Sequence, residues 1–457
     1  MRLKFSNIGI IKEADILIDG LTVIAGVNDT GKSTIGKLLY FLIKIVNNYK
    51  EQFRNNQANR LFSLIDDIKD KGEENIYHES IKRDNKTLSD QSKLLNERNK
   101  LRFLLRKFEQ EVRNKVVDII ENSDDIEKDV LKVIDEFIEN IDIDLGEITY
   151  NKIKEEIGII TKLNENSESV KKAAIDIMIQ NEFDRQITSS LCKKKTEIVL
   201  DDNNMNIARM ILNCNEIEEI SNMVSSTYSD ITYIDIPFSF GDDNINRRFL
   251  LRKGKYLINH IKDLQWKLYV KYLNSDDEND IIDEIEKREM IDKFKIFIKQ
   301  VIGGDFGFKE EERNFIFRKN GDEFRIKNIA EGIKAFAIIK ILLESRFIQK
   351  NSILIIDEPE VHLHPQWQIN YAELLVRMVK ELKIKVLINS HSTYMIEAFK
   401  IYSDHYGISE TTNFYLMKKR NKYSESKLVN DQLNTIYEEL SKPYSKLDEV
   451  LLNDFDK

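Results

Sequence analysis

Cysteine is nearly missing from this sequence. Only Cys192 and Cys214 occur in 457 residues, and they form no C-x-x-C. A disulfide framework, a zinc ribbon and a zinc-hook tip are therefore excluded as organising devices. Proline is also scarce, with four in all; with the frequent Lys, Ile, Asn and Glu it reads as compositional habit and carries no functional information. No run approaches the roughly 18 apolar residues of a membrane span. The start, Met1-Arg2-Leu3-Lys4-Phe5, enters a strand pattern directly, so no signal peptide is expected. An excess of positive charge is lacking too. The net charge of −9 does not advertise nucleic-acid binding, although a local basic stripe remains compatible with it. No internal repeat, low-complexity tail or heptad sustained over four repeats occurs, so a long coiled coil is not expected. What these absences leave is a cytoplasmic globular protein.

The length of 457 residues suits two or three lobes, and 41% hydrophobic with 33% charged residues describes a chain rich in polar helix. One stretch organises it. Leu21 to Ala25 is short, apolar and β-rich. Gly26-Val27-Asn28-Asp29-Thr30-Gly31-Lys32-Ser33 follows and fits G-x4-G-K-[ST] at every fixed position. Ile35, Leu38, Leu39 and Leu42 then recur at helical spacing. In such a strand–loop–helix unit, Gly26 and Gly31 let the backbone aim its N–H groups at phosphate oxygens, with the helix N-terminus adding positive potential. The loop residues Asn28, Asp29, Thr30 and Thr34 line the same cradle. Lys32 would reach the β- and γ-phosphates of ATP, and the Ser33 hydroxyl would hold Mg²⁺. A glycine turn capping an ordinary helix explains less of this pattern.

Around that unit, residues 2–24 read as a β-hairpin or meander with turns at Asn7–Gly9 and Asp19-Gly20. Asn47 to about Gln180 is a charged helical tract, expected to form a compact insertion. Strands are expected at Glu197–Leu200 and at Ile231–Ile236, the latter ended by Pro237. Residues 245–300 read as helical, holding Trp266 and an acidic loop at Asp276–Asp280. Asn314–Phe317 and Glu323–Ile326 flank Lys319-Asn320-Gly321-Asp322 as a hairpin. From Asn328 onward helices and strands alternate, as in a parallel sheet. A small hairpin over Asn413–Leu428 and a helix over Leu433–Leu452 are expected to close the chain.

A second motif lies downstream. Ile353 to Ile356 is an apolar strand that delivers Asp357 and Glu358 at its C-terminal end, where open α/β sheets place their ligands. Asp357 would hold Mg²⁺ beside Ser33, and Glu358 is suited to polarise an attacking water as general base. A solvated acidic turn would not need four apolar residues leading into it. The next strand, Ile384 to Asn389, ends in Ser390-His391-Ser392. His391 can sense a γ-phosphate or orient the water, while Ser390 or Ser392 could cap the following helix.

Together the phosphate loop, Asp357-Glu358-Pro359-Glu360-Val361-His362-Leu363-His364-Pro365 and the histidine after the next strand resemble the ATP-binding-cassette (ABC) ATPases. The form is that of the SMC-like and OLD-like branch, often called "AAA family ATPases". The resemblance implies an α/β fold, an ABC-type head with a mixed sheet and flanking helices plus a large helical insertion. It implies that Asn328–Lys334 opens the family's signature helix, so that Ala330, Gly332 and Lys334 would meet the nucleotide of a second subunit. A hydroxyl usual there is replaced by Ala330 and Glu331. It also implies that Glu182-Phe183-Asp184-Arg185-Gln186 is the Q-loop, with Gln186 as a third Mg²⁺ ligand and Gln180 as the other candidate. His362 and His364 lack further ligand partners and read as an interface loop rather than a metal site.

On this basis the expected ATPase core comprises residues 1–45, 186–244 and 301–430. A helical arm or lid spans 46–185, a helical segment 245–300 and a C-terminal helix 431–457. The chain is expected to hydrolyse ATP with Mg²⁺ and to act as a nucleotide-gated clamp, a homodimer or higher homo-oligomer without a membrane partner. No TOPRIM-type metal motif follows His391; Asp404, Asp454 and Asp456 are merely scattered. The layout resembles sensor or scaffold subunits of anti-phage defence systems of the PARIS and Septu types, which work with a separate TOPRIM-like or HNH nuclease. Two alternatives stand beside this: an SMC-like DNA repair or recombination ATPase acting on DNA directly, and a transporter subunit, for which the residues around Glu358 are unsuited.

Overall fold

The computed structural model describes residues 1–82, 107–140, 146–189, 195–235, 258–272, 281–312 and 314–443. The expected acidic loop at 276–280, Pro237, Cys192, Asp454 and Asp456 lie outside them. The chain forms two compact units. The first comprises Met1–Asn47, Ala174–Lys253 and Leu257–Lys457, the second Asn48–Ala173 with Gly254–Tyr256.

The first unit is α/β and built on one mixed sheet. Its strands are β1 (Arg2–Ile8), β2 (Ile11–Leu17), β3 (Leu21–Ala25), β4 (Thr196–Asp202), β5 (Met205–Asn213), β6 (Glu216–Met223), β7 (Asp230–Ile234), β11 (Ser352–Asp357), β12 (Lys385–Ser390), β13 (Thr412–Arg420) and β14 (Tyr423–Leu428). They lie in the order β6-β5-β4-β1-β2-β14-β13-β3-β12-β11-β7. The stretch from β13 through β3, β12 and β11 to β7 is parallel, whereas β4, β5 and β6 pair antiparallel. All five residues of β3 are buried, as expected of an interior parallel strand covered on both faces.

Of the hairpin or meander expected over residues 2–24, the hairpin is present in β1 and β2, while β3 pairs with β12 and β13 instead of β2. Strands β5 and β6 were not expected. Asn203-Asn204 and Cys214-Asn215 adopt positive φ and make their two turns, and the acidic sequence of β6 suits an edge strand that discourages further pairing. A small second sheet, β8 (Asp305–Lys309), β9 (Asn314–Lys319) and β10 (Asp322–Arg325), contains the expected hairpin, turned at Asn320 and Gly321 with φ of 54° and 91°.

Helix α1 (Lys32–Lys82) starts at the phosphate loop; its residues to Asn47 belong to the first unit and the rest to the second. The second unit also holds α2 (over 107–122), α3 (Ile126–Asn140) and α4 (Glu147–Thr161). Leu61, Ile65, Ile68, Val116, Ile134, Phe137 and Ile157 form a core of its own there. Helix α5 (Glu168–Phe183) returns to the first unit. There α6 (His260–Val270), α7 (Ile281–Ile302), α8 (Glu331–Glu344), α9 (Pro365–Leu382) and α10 (Thr393–Tyr406) follow. A last helix, α11, is described over 434–443; the remainder of the expected one lies outside. In α8, Phe336 to Leu343 is buried continuously, packing with α9 and the inner strands.

Two buried charge networks fix β7. Asp263 of α6 lies 2.6 Å from Lys44 of α1 and 2.9 Å from Lys267, which also donates to the Ile231 carbonyl at 2.6 Å. Asp230 pairs with Lys267 as well. At the other end of β7, His260 is held between two carboxylates. Its Nδ1 is 2.6 Å from Glu182 of α5 and its Nε2 3.0 Å from Asp235, and its backbone N–H donates to Glu182 at 3.0 Å. Burial alone would push this imidazole down; hydrogen bonds to Asp235 and Glu182 outweigh it and hold the pKa up at about 9.

A histidine whose folded pKa exceeds its unfolded one contributes stability that is fully present below about pH 6.5 and lost as pH rises through about 9. The rise corresponds to roughly 3 kcal/mol. His260→Gln should therefore melt below wild type, with the largest gap near pH 6 and a narrowing gap toward pH 9.5. Thermal melts across that range check it; a gap that stays constant or widens with pH would refute a charged His260.

Candidate functional site

The phosphate loop follows β3 and closes on its own lysine. Lys32 is 4% exposed, and its Nζ donates to the Gly26 and Val27 carbonyls at 3.0 Å each. Thr30 Oγ1 donates to the Val27 carbonyl at 2.9 Å. Gly31 has φ +86°, and a Cβ there would stand 2.7 Å from Ile11 Cγ1; one at Gly26 would stand 2.9 Å from the Met417 carbonyl oxygen. The loop can take this shape only with glycine at both places. Asn28 and Asp29 are exposed, and Ser33 and Thr34 are half-buried at the head of α1.

The β13–β14 hairpin forms the outer wall. Ser424 Oγ donates to the Thr30 carbonyl at 2.7 Å, and Lys419 Nζ lies 2.6 Å from Asp29 Oδ2. On the inner side, a Cβ at Gly36 would meet Tyr233 Cε2 at 2.8 Å and Ile355 Cγ2 at 3.0 Å. The glycine in α1 thus lets the helix descend onto the sheet beside the loop.

Sheet register assembles the rest. Ala25 pairs with Ser390 and Asn389 with Asp357, so three parallel strands end together and deliver the loop, the acidic pair and the histidine to one edge. Asn389 Nδ2 donates to Asp357 Oδ1 at 2.8 Å. Tyr233 of β7 approaches the same carboxylate, and burial first, then the charges of Asp357 and Asp235, push its hydroxyl well above the ordinary range. Glu358 adopts left-handed backbone (φ 47°), which costs a residue with a Cβ about 1–2 kcal/mol; its N–H donates to the Asn389 carbonyl at 2.9 Å. His391 Nδ1 lies 3.6 Å from Glu358 Oε1 and 3.1 Å from Glu360 Oε1. Burial lowers the Lys32 ammonium pKa, and the charges of Glu358, Asp357 and Glu360 oppose that.

Not every expected residue joins this group. Ala330 is the N-cap of α8 and makes no side-chain capping bond. Gly332 packs against Trp367 and the His362 carbonyl, and Lys334 is buried with its Nζ 2.6 Å from Glu331 Oε1. Gly332 thus meets α9 and the loop before it, while the partner of Lys334 lies in its own helix. The five residues expected as the Q-loop divide between helix and turn. Glu182, held by His260, and Phe183 complete helix α5, and the turn falls at Asp184 and Arg185, with φ of 48° and 62°. Gln186 is exposed; the adjacent Ile187 carbonyl accepts from Gly9 N–H at 3.1 Å, and Gly9 faces Thr34. Gln180 is on the exposed side of α5. His364 caps α9, accepting from Gln366 N–H at 3.4 Å, and Ser392 caps α10.

Sequence reading missed Glu360, Asn389 and Tyr233. Glu360 stood in the open as the third acid of D-E-P-E, whereas nothing in the sequence marks Asn389 or Tyr233 off from ordinary strand residues. Asn389 Oδ1 and Glu360 Oε2 are buried without a hydrogen-bond partner. Such orphaned acceptors are rare and call for a donor or cation. Two glycines forced by sterics, a buried lysine and oxygen donors from Ser33 and Asp357 fit a nucleotide phosphate with a hard divalent ion.

No curated relative matches the sequence. Among solved structures the chain is similar to the SMC head domain from Thermotoga maritima, with 11% identity over 94% of this chain and 98% of that one and a TM-score of 0.36. An Smc head bound to the C-winged helix domain of ScpA shows 10% identity over 95% and 98%, with a TM-score of 0.41. The Smc head domain with a coiled coil and joint from Pyrococcus yayanosii shows 12% identity over 97% and 99%, with a TM-score of 0.36. The family described as "AAA ATPase domain" matches residues 1–396, which include the phosphate loop, the acidic strand end and His391. Its match spans most of the sequence, and the chain belongs to that ATPase domain family.

Proposed function

We propose that this chain binds Mg²⁺-ATP and hydrolyses it to ADP and phosphate, using the cycle as a nucleotide-gated clamp or scaffold. The observation that carries the reading is the common edge at which β3, β11 and β12 end, with Lys32, Asp357, Glu358 and His391 around one space. Phosphate oxygens would replace the Gly26 and Val27 carbonyls as partners of Lys32. Ser33 and Asp357, with Gln186 as a further candidate, would hold Mg²⁺, which neutralises charge on the β- and γ-phosphates. Glu358 would take a proton from the attacking water, and His391 would steady the terminal phosphate.

In the clamp reading, ATP bound at the phosphate loop of one copy meets Ala330, Gly332 and the head of α8 in a second copy. Helix N-termini can cap phosphate through backbone N–H groups without a hydroxyl. The Lys334–Glu331 pair offsets the carboxylate that stands there. The second unit, with its own core, acts as an arm that contacts a partner. The finer proposal is a cytoplasmic regulatory subunit of an anti-phage defence system controlling a separate nuclease. It is supported by the resemblance in size and layout to such subunits. Direct action on DNA is a second reading, favoured by one observation: Lys418, Lys419, Arg420 and Lys422 gather at the end of the β13–β14 hairpin. Duplex binding that weakens steeply with salt would favour that reading.

Lys32→Ala should abolish ATP binding and turnover; unchanged affinity by calorimetry would place the site elsewhere. Glu358→Gln should bind ATP yet hydrolyse roughly 10²–10⁴-fold more slowly, while Asp357→Asn should weaken Mg²⁺-ATP binding itself. With hydrolysis blocked, Glu358→Gln should sediment as a more persistent ATP-dependent assembly than wild type. A variant monomeric with and without Mg²⁺-ATP would sink the clamp. Replacing residues 48–173 by a short Gly/Ser linker should leave ATP binding intact and remove activity in cells; retained biological activity would exclude the arm from function.

A further inference from the structure

We propose that Glu360 is a positioning residue for hydrolysis. It holds the His391 imidazole with Nδ1 against the carboxylates, so that Nε2 is the nitrogen presented to the terminal phosphate of the nucleotide. The assignment rests on the ATPase reading above.

Glu360 lies in the turn that leaves β11, where Val361 N–H donates to the Glu358 carbonyl and Leu363 N–H to the Glu360 carbonyl, each at 3.0 Å. Its side chain is only 5% exposed. Oε1 accepts from Ser390 Oγ at 2.9 Å, from His391 N–H at 2.6 Å and from Ser392 N–H at 3.1 Å. These donors stand at the start of α10, so the carboxylate also sits on the positive end of that helix. One side chain thereby ties the end of β11 to the end of β12 and sets how far Glu358 lies from His391.

A structural latch would need only one oxygen and the two amides. Two further observations point beyond that. Glu360 Oε2 is buried without a hydrogen-bond partner although Oε1 has three donors. His391 Nδ1 stands 3.1 Å from Glu360 Oε1, without the alignment of a formed hydrogen bond, while its ring is 39% exposed. The two nitrogens of imidazole face away from each other, so fixing Nδ1 at the carboxylates directs Nε2 outward. Donor–acceptor pairs of an active site commonly tighten only when substrate is bound. Carboxylates that orient a catalytic imidazole through its other nitrogen act in this way.

Glu360→Gln retains the shape and an acceptor oxygen for the two amides but loses the charge. Single-turnover hydrolysis should fall about 10–100-fold with Mg²⁺-ATP affinity within about threefold of wild type. In a His391→Ala background, Glu360→Gln should cost less than about twofold more, because its effect passes through the imidazole. Equal losses in both backgrounds would reduce Glu360 to a latch and overturn the proposal, as would undiminished hydrolysis. A measurement independent of the Glu360 variant is the ¹⁵N imidazole spectrum of the wild type, in which the His391 signal is the one lost in His391→Ala. A proton on Nδ1 is expected; a bare Nδ1 overturns the assignment. Wild-type protein that binds Mg²⁺-ATP without hydrolysing it would overturn the ATPase reading and Glu360's role together, whereas active wild type with an equally active Glu360→Gln overturns Glu360 alone.

Discussion

The parallel pairing of β3, β12 and β11 is the constraint on which the site depends. Side chains repeat every two residues along a strand, so a slip of one position would turn Asp357 and Asn389 to the wrong face. The register Asp357↔Asn389 and Ser390↔Ala25 prevents that. It is enforced by burial on both faces: Leu21 to Ala25, Ile353 to Ile356 and Val386 to Ile388 are almost entirely withdrawn from water. Strand ends held this way let short loops carry chemistry, because Asp357 and Asn389, 32 positions apart, and Ala25 and Ser390, hundreds of positions apart, are brought side by side.

Charge is the second theme. Lys32 and Glu360 are buried, and Lys44, Lys267, Asp263 and His260 are buried near or below the site. An ion taken out of water costs several kcal/mol unless it is paired and hydrogen-bonded. Lys44, Lys267, Asp263 and His260 each have a charged partner on another element, so α1, α5, α6 and β7 are held together by these pairs. Tyr233 lies between the networks, its ring 4.5 Å from His260 and its hydroxyl beside Asp357. The site therefore has a polar floor rather than a greasy one.

Much of this was legible in the sequence because local chemistry dictated it. Gly26, Gly31 and Lys32 after an apolar strand, and the apolar run into Asp357, outweigh the plainer readings of each stretch, and the helix–strand alternation after Asn328 implied a parallel sheet. What the sequence concealed is relational. Glu182 was assigned to a loop because nothing local reveals that His260, 78 positions away, would hold it at a helix end. The partners of β3, β12 and β13, lie more than 350 residues downstream, so nothing local distinguishes a hairpin followed by an interior strand from a meander. β6 was missed because an edge strand may be acidic, and acidic alternation does not announce a strand. Glu360 was visible but its hydrogen bonds were not, since all its donors come from the end of another strand.

The wall supplied by the β13–β14 hairpin has a consequence for how the molecule comes into being. Thr30 and Ser424 are 394 positions apart, and Asp29 and Lys419 are 390 apart. At about 5–20 residues per second on the ribosome, the phosphate loop waits roughly 20–80 seconds before the segment that encloses it has even been made. Until then β3 lacks its neighbour β13, and the glycine loop lacks the Met417 carbonyl and the Ser424 hydroxyl against which it is shaped. The nascent chain thus carries the whole motif long before it carries a finished cradle. A cradle enclosed on all sides therefore follows the synthesis of nearly all of the first unit.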